Sequence, residues 1–216
     1  MKRFSFFPSL TTGARLFLLL FALGFPLALA GHYLHFFELR SWLALTPALV
    51  WKGQIWRLAA YAFLPSGFVD WAVSLFWLIT LVLVLGRNFS TRGFWGYCLL
   101  AAIAGALPVV LAFPKMESSL TSCVAIIFAL LVAWDRFYRR ERLILLGIGE
   151  ISVRQAAMLI ALINVLVLLF CAGWFLTLSM LCGGLAGWIY LMLKNNRTMR
   201  RPAQAVDSER IARLEL

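Results

Sequence analysis

The chain has 216 residues, of which 63% are hydrophobic and only 13% charged, and its mean hydropathy is +0.90. Soluble domains do not reach this balance, so the composition excludes a water-soluble enzyme or binding module and implies an integral membrane protein. A net charge of +11 would suggest nucleic acid in a soluble chain, but here Lys and Arg flank apolar runs, which is an orientation signal, and no nucleic-acid partner is expected.

Residues 1–13 read as a short N-terminal segment, residues 14–193 as one membrane domain, and residues 194–216 as a basic tail without a core. The first apolar run, about Leu16 to Leu34, exceeds the roughly 7 to 15 residues of a signal-peptide core and is expected to stay as an anchor. From His35 to Pro65 the pattern turns mixed, with Glu38, Arg40, Lys52, Gln54 and Arg57 among Trp42, Trp51 and Trp56. Tryptophan beside charge belongs at headgroup level, which predicts a helix lying in the interface or partly sunk in one leaflet.

Further spans are predicted at about Val69–Leu85, Phe94–Phe113, Leu120–Trp134, Ala156–Phe170 and Leu176–Leu193, making six in all, each near the 20 residues that cross a hydrocarbon core. A basic turn, Gly86 to Arg92, joins the second and third, and the charge cluster Asp135 to Arg142 leads through Leu143–Val153 into the fifth. Arg40, Lys52, Arg57 and Lys115 fall on one side of this layout and the other sixteen of the 20 basic residues on the opposite side. The positive-inside rule then puts both termini in the cytoplasm and the Trp-Arg loop outside. Short loops and this bias suit a bacterial inner membrane.

Gly53-Gln54-Ile55-Trp56-Arg57-Leu58, ending in Phe63-Leu64 between two apolar segments, resembles the first external loop of the rhomboid superfamily of intramembrane serine proteases and their inactive relatives. Leu85-Gly86-Arg87 falls where that family has a Leu-Gly-Arg turn, and Met180-Leu181-Cys182-Gly183-Gly184-Leu185-Ala186-Gly187 fits its Gly-x-x-x-Gly register on the sixth span. The resemblance implies an all-α, rhomboid-like bundle of six transmembrane helices with an interfacial loop between the first and second, and a contact of the sixth span on the fourth through Gly183 and Gly187. Trp56 and Arg57 read as structural: an interfacial anchor, and a donor for loop carbonyls.

The chemistry of the family does not carry over. Pro65 and Asp70 stand at its two external His positions, and Ser74 at the Asn that helps stabilise the oxyanion. Anchoring on Phe128-Ala129-Leu130 puts Val124 at the nucleophile, while a shifted register would put Ser122 there without its flanking glycines. Met180 stands at the base, and a thioether cannot take a proton from a serine hydroxyl. The two histidines, His32 and His35, lie at the end of the first span, away from the fourth and sixth. On its own terms, Ser122 reads as bonding back to its helix and Asp70 as a helix N-terminal residue.

Cys98, Cys123, Cys171 and Cys182 have no metal-like spacing and read as buried thiols, and neither a metal nor another cofactor is expected. The resulting expectation is a rhomboid-fold pseudoprotease that binds transmembrane segments of client proteins in the bilayer without cutting them. Two alternatives stay open: a divergent intramembrane serine protease using Ser122 or Asp70, and a small transporter or channel. Few intramembrane charges and no inverted repeat speak against the latter.

Overall fold

Long aliphatic runs in lipid can satisfy their peptide groups only within themselves, so they fold as helices. The computed structural model of the protein describes residues 11–33, 39–86, 88–138, 142–145, 149–167 and 174–194. Helix α1 spans Thr12–Tyr33 and encloses Pro26. The stretch expected as one interfacial helix is instead three short ones, α2 (Leu39–Leu43), α3 (Pro47–Trp51) and α4 (Arg57–Ala60), with a 3-10 turn at Tyr61–Phe63. Pro47 opens α3 at the position where a missing N–H is harmless, and Gly53, at φ 100°, reverses the chain between α3 and α4 in a conformation that L side chains avoid.

The long helices follow: α5 (Phe68–Leu85), α6 (Thr91–Ala112), α7 (Val124–Tyr138), α8 (Val153–Val167) and α9 (Trp174–Leu193). Among the described residues, four segments are long and apolar enough to cross a membrane: Thr12–Ala30, Phe68–Leu85, Thr91–Ala112 and Trp174–Leu193. α7 and α8 have 15 residues each, which at 1.5 Å per residue is about 22 Å.

The fourth span and the segment after it also differ from expectation. The fourth span was expected to begin at Leu120, but α7 begins at Val124. Leu120 pairs with Leu45 in an isolated antiparallel bridge, its N–H and carbonyl both taken at 2.8 and 2.9 Å, so its backbone is held extended. The same helix was expected to stop at Trp134 and runs one turn further, to Tyr138. The segment after it, expected to lead simply into the fifth span, holds a two-stranded antiparallel ribbon, β1 (Arg142–Leu145) paired with β2 (Gly149–Ser152). The bundle is therefore helical except for this ribbon among the described residues. His35, Cys171, and the tail beyond Lys194, including the expected surface helix at Val206–Leu216, lie outside them.

α7 is the central element. Every residue from Val124 to Asp135 is buried or half-buried, because α5, α6, α8 and α9 all pack against it. Apolar side chains of α1, α5 and α9 cover the outside: Leu19, Leu23, Val69, Phe76, Leu185 and Ile189 are all exposed, as lipid-facing residues should be. At the end of the bundle that carries the α5–α6 turn, Phe89 meets Phe94 and Phe137 edge to face and Tyr97 at a tilt, with ring centroids 5.3 to 6.1 Å apart. There Asn88 donates to the Tyr138 hydroxyl at 3.1 Å and Tyr138 donates to the Val84 carbonyl at 3.1 Å, which ties α7 to the turn.

Candidate functional site

The loop between α1 and α5 is built on one buried cation. Arg57 is only 3% exposed. Its Nε donates to Gln54 Oε1 at 2.6 Å, Nη1 to the Ala44 carbonyl at 2.6 Å and Nη2 to the Ser41 carbonyl at 2.7 Å. The planar fork thus ties the C-terminal end of α2 to the turn before α4 at three points, a job a lysine point charge cannot do. Burial lowers the guanidinium pKa from its ordinary value, but an arginine stays charged in a protein, so these are charge-assisted bonds. Trp56, next to it, is exposed and its indole N–H donates to the Trp42 carbonyl at 3.4 Å. Trp51 reaches the Val110 carbonyl of α6 at 3.2 Å, anchoring the loop to the bundle.

Asp70 sits in the first turn of α5, whose N-cap is Gly67 and offers no side chain. Its Oδ2 accepts from the Ser66 N–H at 2.8 Å and from the Ser66 hydroxyl at 3.0 Å, and its Oδ1 accepts from the Ser74 hydroxyl at 3.2 Å. A carboxylate here also meets the positive end of the helix. We predict that Asp70→Ala lowers stability by about 1–2 kcal/mol, since a cap and its partners are lost. Asp70→Asn should lose less. Thermal unfolding in detergent micelles, followed by tryptophan fluorescence, checks both.

Ser74, turned inward and buried, lies beside the thiol of Cys123, which is also buried. Nearby, the Tyr61 hydroxyl donates to the Ala102 carbonyl at 3.0 Å and approaches Ser179 of α9. A small polar patch of Ser74, Cys123, Tyr61 and Ser179 therefore fills the interior at the head of α7. Neither Cys123 nor Tyr61 was singled out for this place by sequence reasoning, because no motif surrounds them.

Of the two register candidates, Val124 is the first residue of α7 and half-buried, so it has no chemistry to offer. Ser122, expected to bond back to its own helix, instead lies two residues before α7; it is buried, and its Oγ accepts the Val124 N–H at 3.3 Å at the start of that helix. Met180 is 1% exposed on α9, among the largest fully buried side chains. Histidine does not occur on α7 or α9, and the side chains of His32 and His35 lie outside the described residues. Among the described residues no three His, Cys, Asp or Glu side chains gather as metal ligands.

Close helix approaches adjoin this patch. A Cβ added at Gly183 would fall 2.7 Å from the Ala125 Cβ and 2.9 Å from the Ala125 carbonyl oxygen. At Gly187 it would fall 2.6 Å from the Tyr97 hydroxyl and 2.9 Å from the Ala129 Cβ. At Gly105 of α6 it would meet Ala125 Cβ at 2.6 Å and Ser179 Oγ at 2.9 Å. Three helices thus converge on Ala125. Gly105 escaped sequence reasoning, although Ala101 four residues before it makes a small-xxx-small pair that pointed to this face.

These elements define a polytopic helical membrane protein with a tightly packed three-helix centre and a loop organised on a buried arginine. The sequence model of the eukaryotic integral membrane protein family DUF1751 matches residues 10–204 of the 216, and the chain belongs to that family. A comparison with curated proteins found no match. The family is one of eukaryotic membrane proteins, which overturns the bacterial inner membrane expected from the short loops and charge bias. Those features report which side of a bilayer a loop occupies, and they do so in every kind of cell.

Proposed function

We propose that this protein is a rhomboid-like membrane protein of six spans that binds transmembrane segments of other proteins and does not cut them. The observation that carries the reading is the packing around α7. α5 and α8 both lean on α7, without extensive contact between each other, and the inner face of α8 goes from buried at Val153, Ala156 and Ala157 to half-buried at Ile160, Ala161, Asn164 and Val165. In this reading the flank of α8 left without extensive helix contact among the described residues is where a third helix would lie. Lateral entry needs no charge or chemistry, only complementary surface, because helix association in lipid runs on packing and hydrogen bonds.

Two features support binding over hydrolysis. The Ser122 hydroxyl is engaged at the head of α7, and the family's base position holds Met180. A serine without a positioned base is a weak nucleophile. α7 and α8 serve in this reading as the fourth and fifth spans, short ones whose ends are extended by the chain around them. The Trp-rich loop would lie at the membrane surface, with both termini on the opposite side, where most of the basic residues are.

The test is photo-crosslinking in liposomes with a Leu-Ala transmembrane peptide of about 23 residues. A photoreactive residue in place of Ile160 is expected to label the peptide at full length, several-fold above the same residue in place of Leu20 on the lipid face of α1. Equal labelling at the two positions, or a shortened peptide, would defeat the reading.

A further inference from the structure

The ribbon between α7 and α8 has two unlike faces. Its register pairs Leu143 with Ile151 and Leu145 with Gly149, and it pairs Arg142 with Ser152 and Ile144 with Glu150. Paired residues share a face and neighbours along a strand alternate, so Leu143, Leu145, Gly149 and Ile151 belong to one face and Arg142, Ile144, Glu150 and Ser152 to the other. The first face is wholly apolar. A two-stranded ribbon is at best marginally stable in water, so such a face needs a cover. Among the described residues the bundle does not supply one: β1 has no extensive contact with any helix, and β2 has one only with α8, into which it runs directly.

Within reach instead is the membrane. α7 ends at Tyr138 and β1 begins at Arg142, so at most about 14 Å of chain separates them, and Ser152 of β2 is followed at once by Val153 of α8. In the six-span arrangement both helices cross the bilayer, and at about 22 Å neither has an overhang to lift the ribbon off the leaflet. Arg136 in the last turn of α7 and Arg154 in the first turn of α8 are exposed on either side of it, a flank that suits lipid phosphates. We infer that the ribbon is a surface anchor whose partner is the phospholipid leaflet opposite the Trp-rich loop, with the face of Leu143, Leu145 and Ile151 against the acyl boundary. The side follows from α7, which meets the loop just before its start, at the Leu120–Leu45 bridge, and the α5–α6 turn at its end, through Tyr138. The depth follows from the strand edges: their unpaired N–H and C=O groups need water or headgroups, which keeps the ribbon out of the hydrocarbon core. The inference rests on the six spans proposed above and not on client binding.

Photo-crosslinking in phosphatidylcholine nanodiscs, which leave both membrane faces open to water, tests it. A photoreactive residue in place of Leu143 is expected to capture phospholipid several-fold more than the same residue in place of Glu150 on the other face, with the exposed Leu162 of α8 as the positive control. A second measurement leaves the chain unchanged. Hydroxyl-radical footprinting of the wild-type protein in the same nanodiscs should oxidise Ile144 several-fold more than Ile151, two residues of one type on opposite faces. Equal capture at Leu143 and Glu150, a crosslink from Leu143 to the protein in place of lipid, or equal oxidation of the two isoleucines overturns the inference and, with lipid captured at Leu162, leaves the six spans in place. No lipid capture at Leu162 overturns both.

Discussion

Gly183→Ala is expected to destabilise the protein by about 1–3 kcal/mol, the range for forcing a methyl group into a packed core. The new Cβ would sit 2.7 Å from the Ala125 Cβ, 2.9 Å from its carbonyl oxygen and 3.0 Å from its Cα. Two of those atoms are backbone of the central helix, so no rotamer change relieves the contact, and α9 must move off α7. Gly183→Leu should do more and prevent the helices from pairing. The sign of the alanine change is informative because glycine in a helix is otherwise a weakness of about 1 kcal/mol. Gly96 of α6 is the control: it is exposed and its added Cβ would meet only the Tyr190 hydroxyl at 3.8 Å. Gly96→Ala should be neutral or stabilising. Thermal unfolding of the two single variants in micelles should therefore show a lowered midpoint for Gly183→Ala and an unchanged or raised one for Gly96→Ala; a stabilising Gly183→Ala would mean that the α7–α9 approach is looser than described.

Arg57→Met should cost more than any other change in the loop. It removes donors to Gln54 Oε1 and to the carbonyls of Ser41 and Ala44 and leaves these acceptors around a buried apolar chain. At about 1–3 kcal/mol for each buried group left unpaired, the loss is on the order of 3 kcal/mol or more. The loop would open while the helices persist, since the long helices do not depend on this residue for their own hydrogen bonds. Arg57→Lys keeps the charge but not the fork, and is expected to fall between wild type and Arg57→Met. Limited proteolysis of proteoliposomes reads this locally, as new cleavage between α1 and α5 in Arg57→Met and little in wild type. Resistance equal to wild type would show that the loop is held by the Trp51 and Leu45 contacts alone.

How far these features were legible in the sequence differs from residue to residue. α5 and α9 begin and end within a few residues of expectation because their apolar runs are uninterrupted and a helix is the only open form lipid allows. The start of α7 was misjudged because Leu120 to Cys123 look like more of the same helix by composition, whereas their backbone is committed to a loop 75 residues earlier, at Leu45. The ribbon at Arg142–Ser152 escaped because two four-residue strands stabilise only each other, and pairing leaves little trace in an apolar segment. Arg57 stood out as a donor. Its acceptors at Ser41 and Ala44 are backbone carbonyls, which every residue has and which no pattern marks. The approach of Ser74 to Cys123 likewise joins α5 to the head of α7 across 49 positions, a distance that one sequence without relatives cannot bridge.

In the proposed reading this membrane protein holds a transmembrane segment without hydrolysing it. Purified protein in liposomes, mixed with a model transmembrane substrate and assayed for fragments beside Ser122→Ala, tests it most directly. Full-length substrate is expected with both proteins, and no labelling of either by a serine-reactive probe. Cleavage by wild type that disappears in Ser122→Ala would contradict it, and would mean that the Ser122 hydroxyl leaves the head of α7 and finds a base other than a histidine on α9.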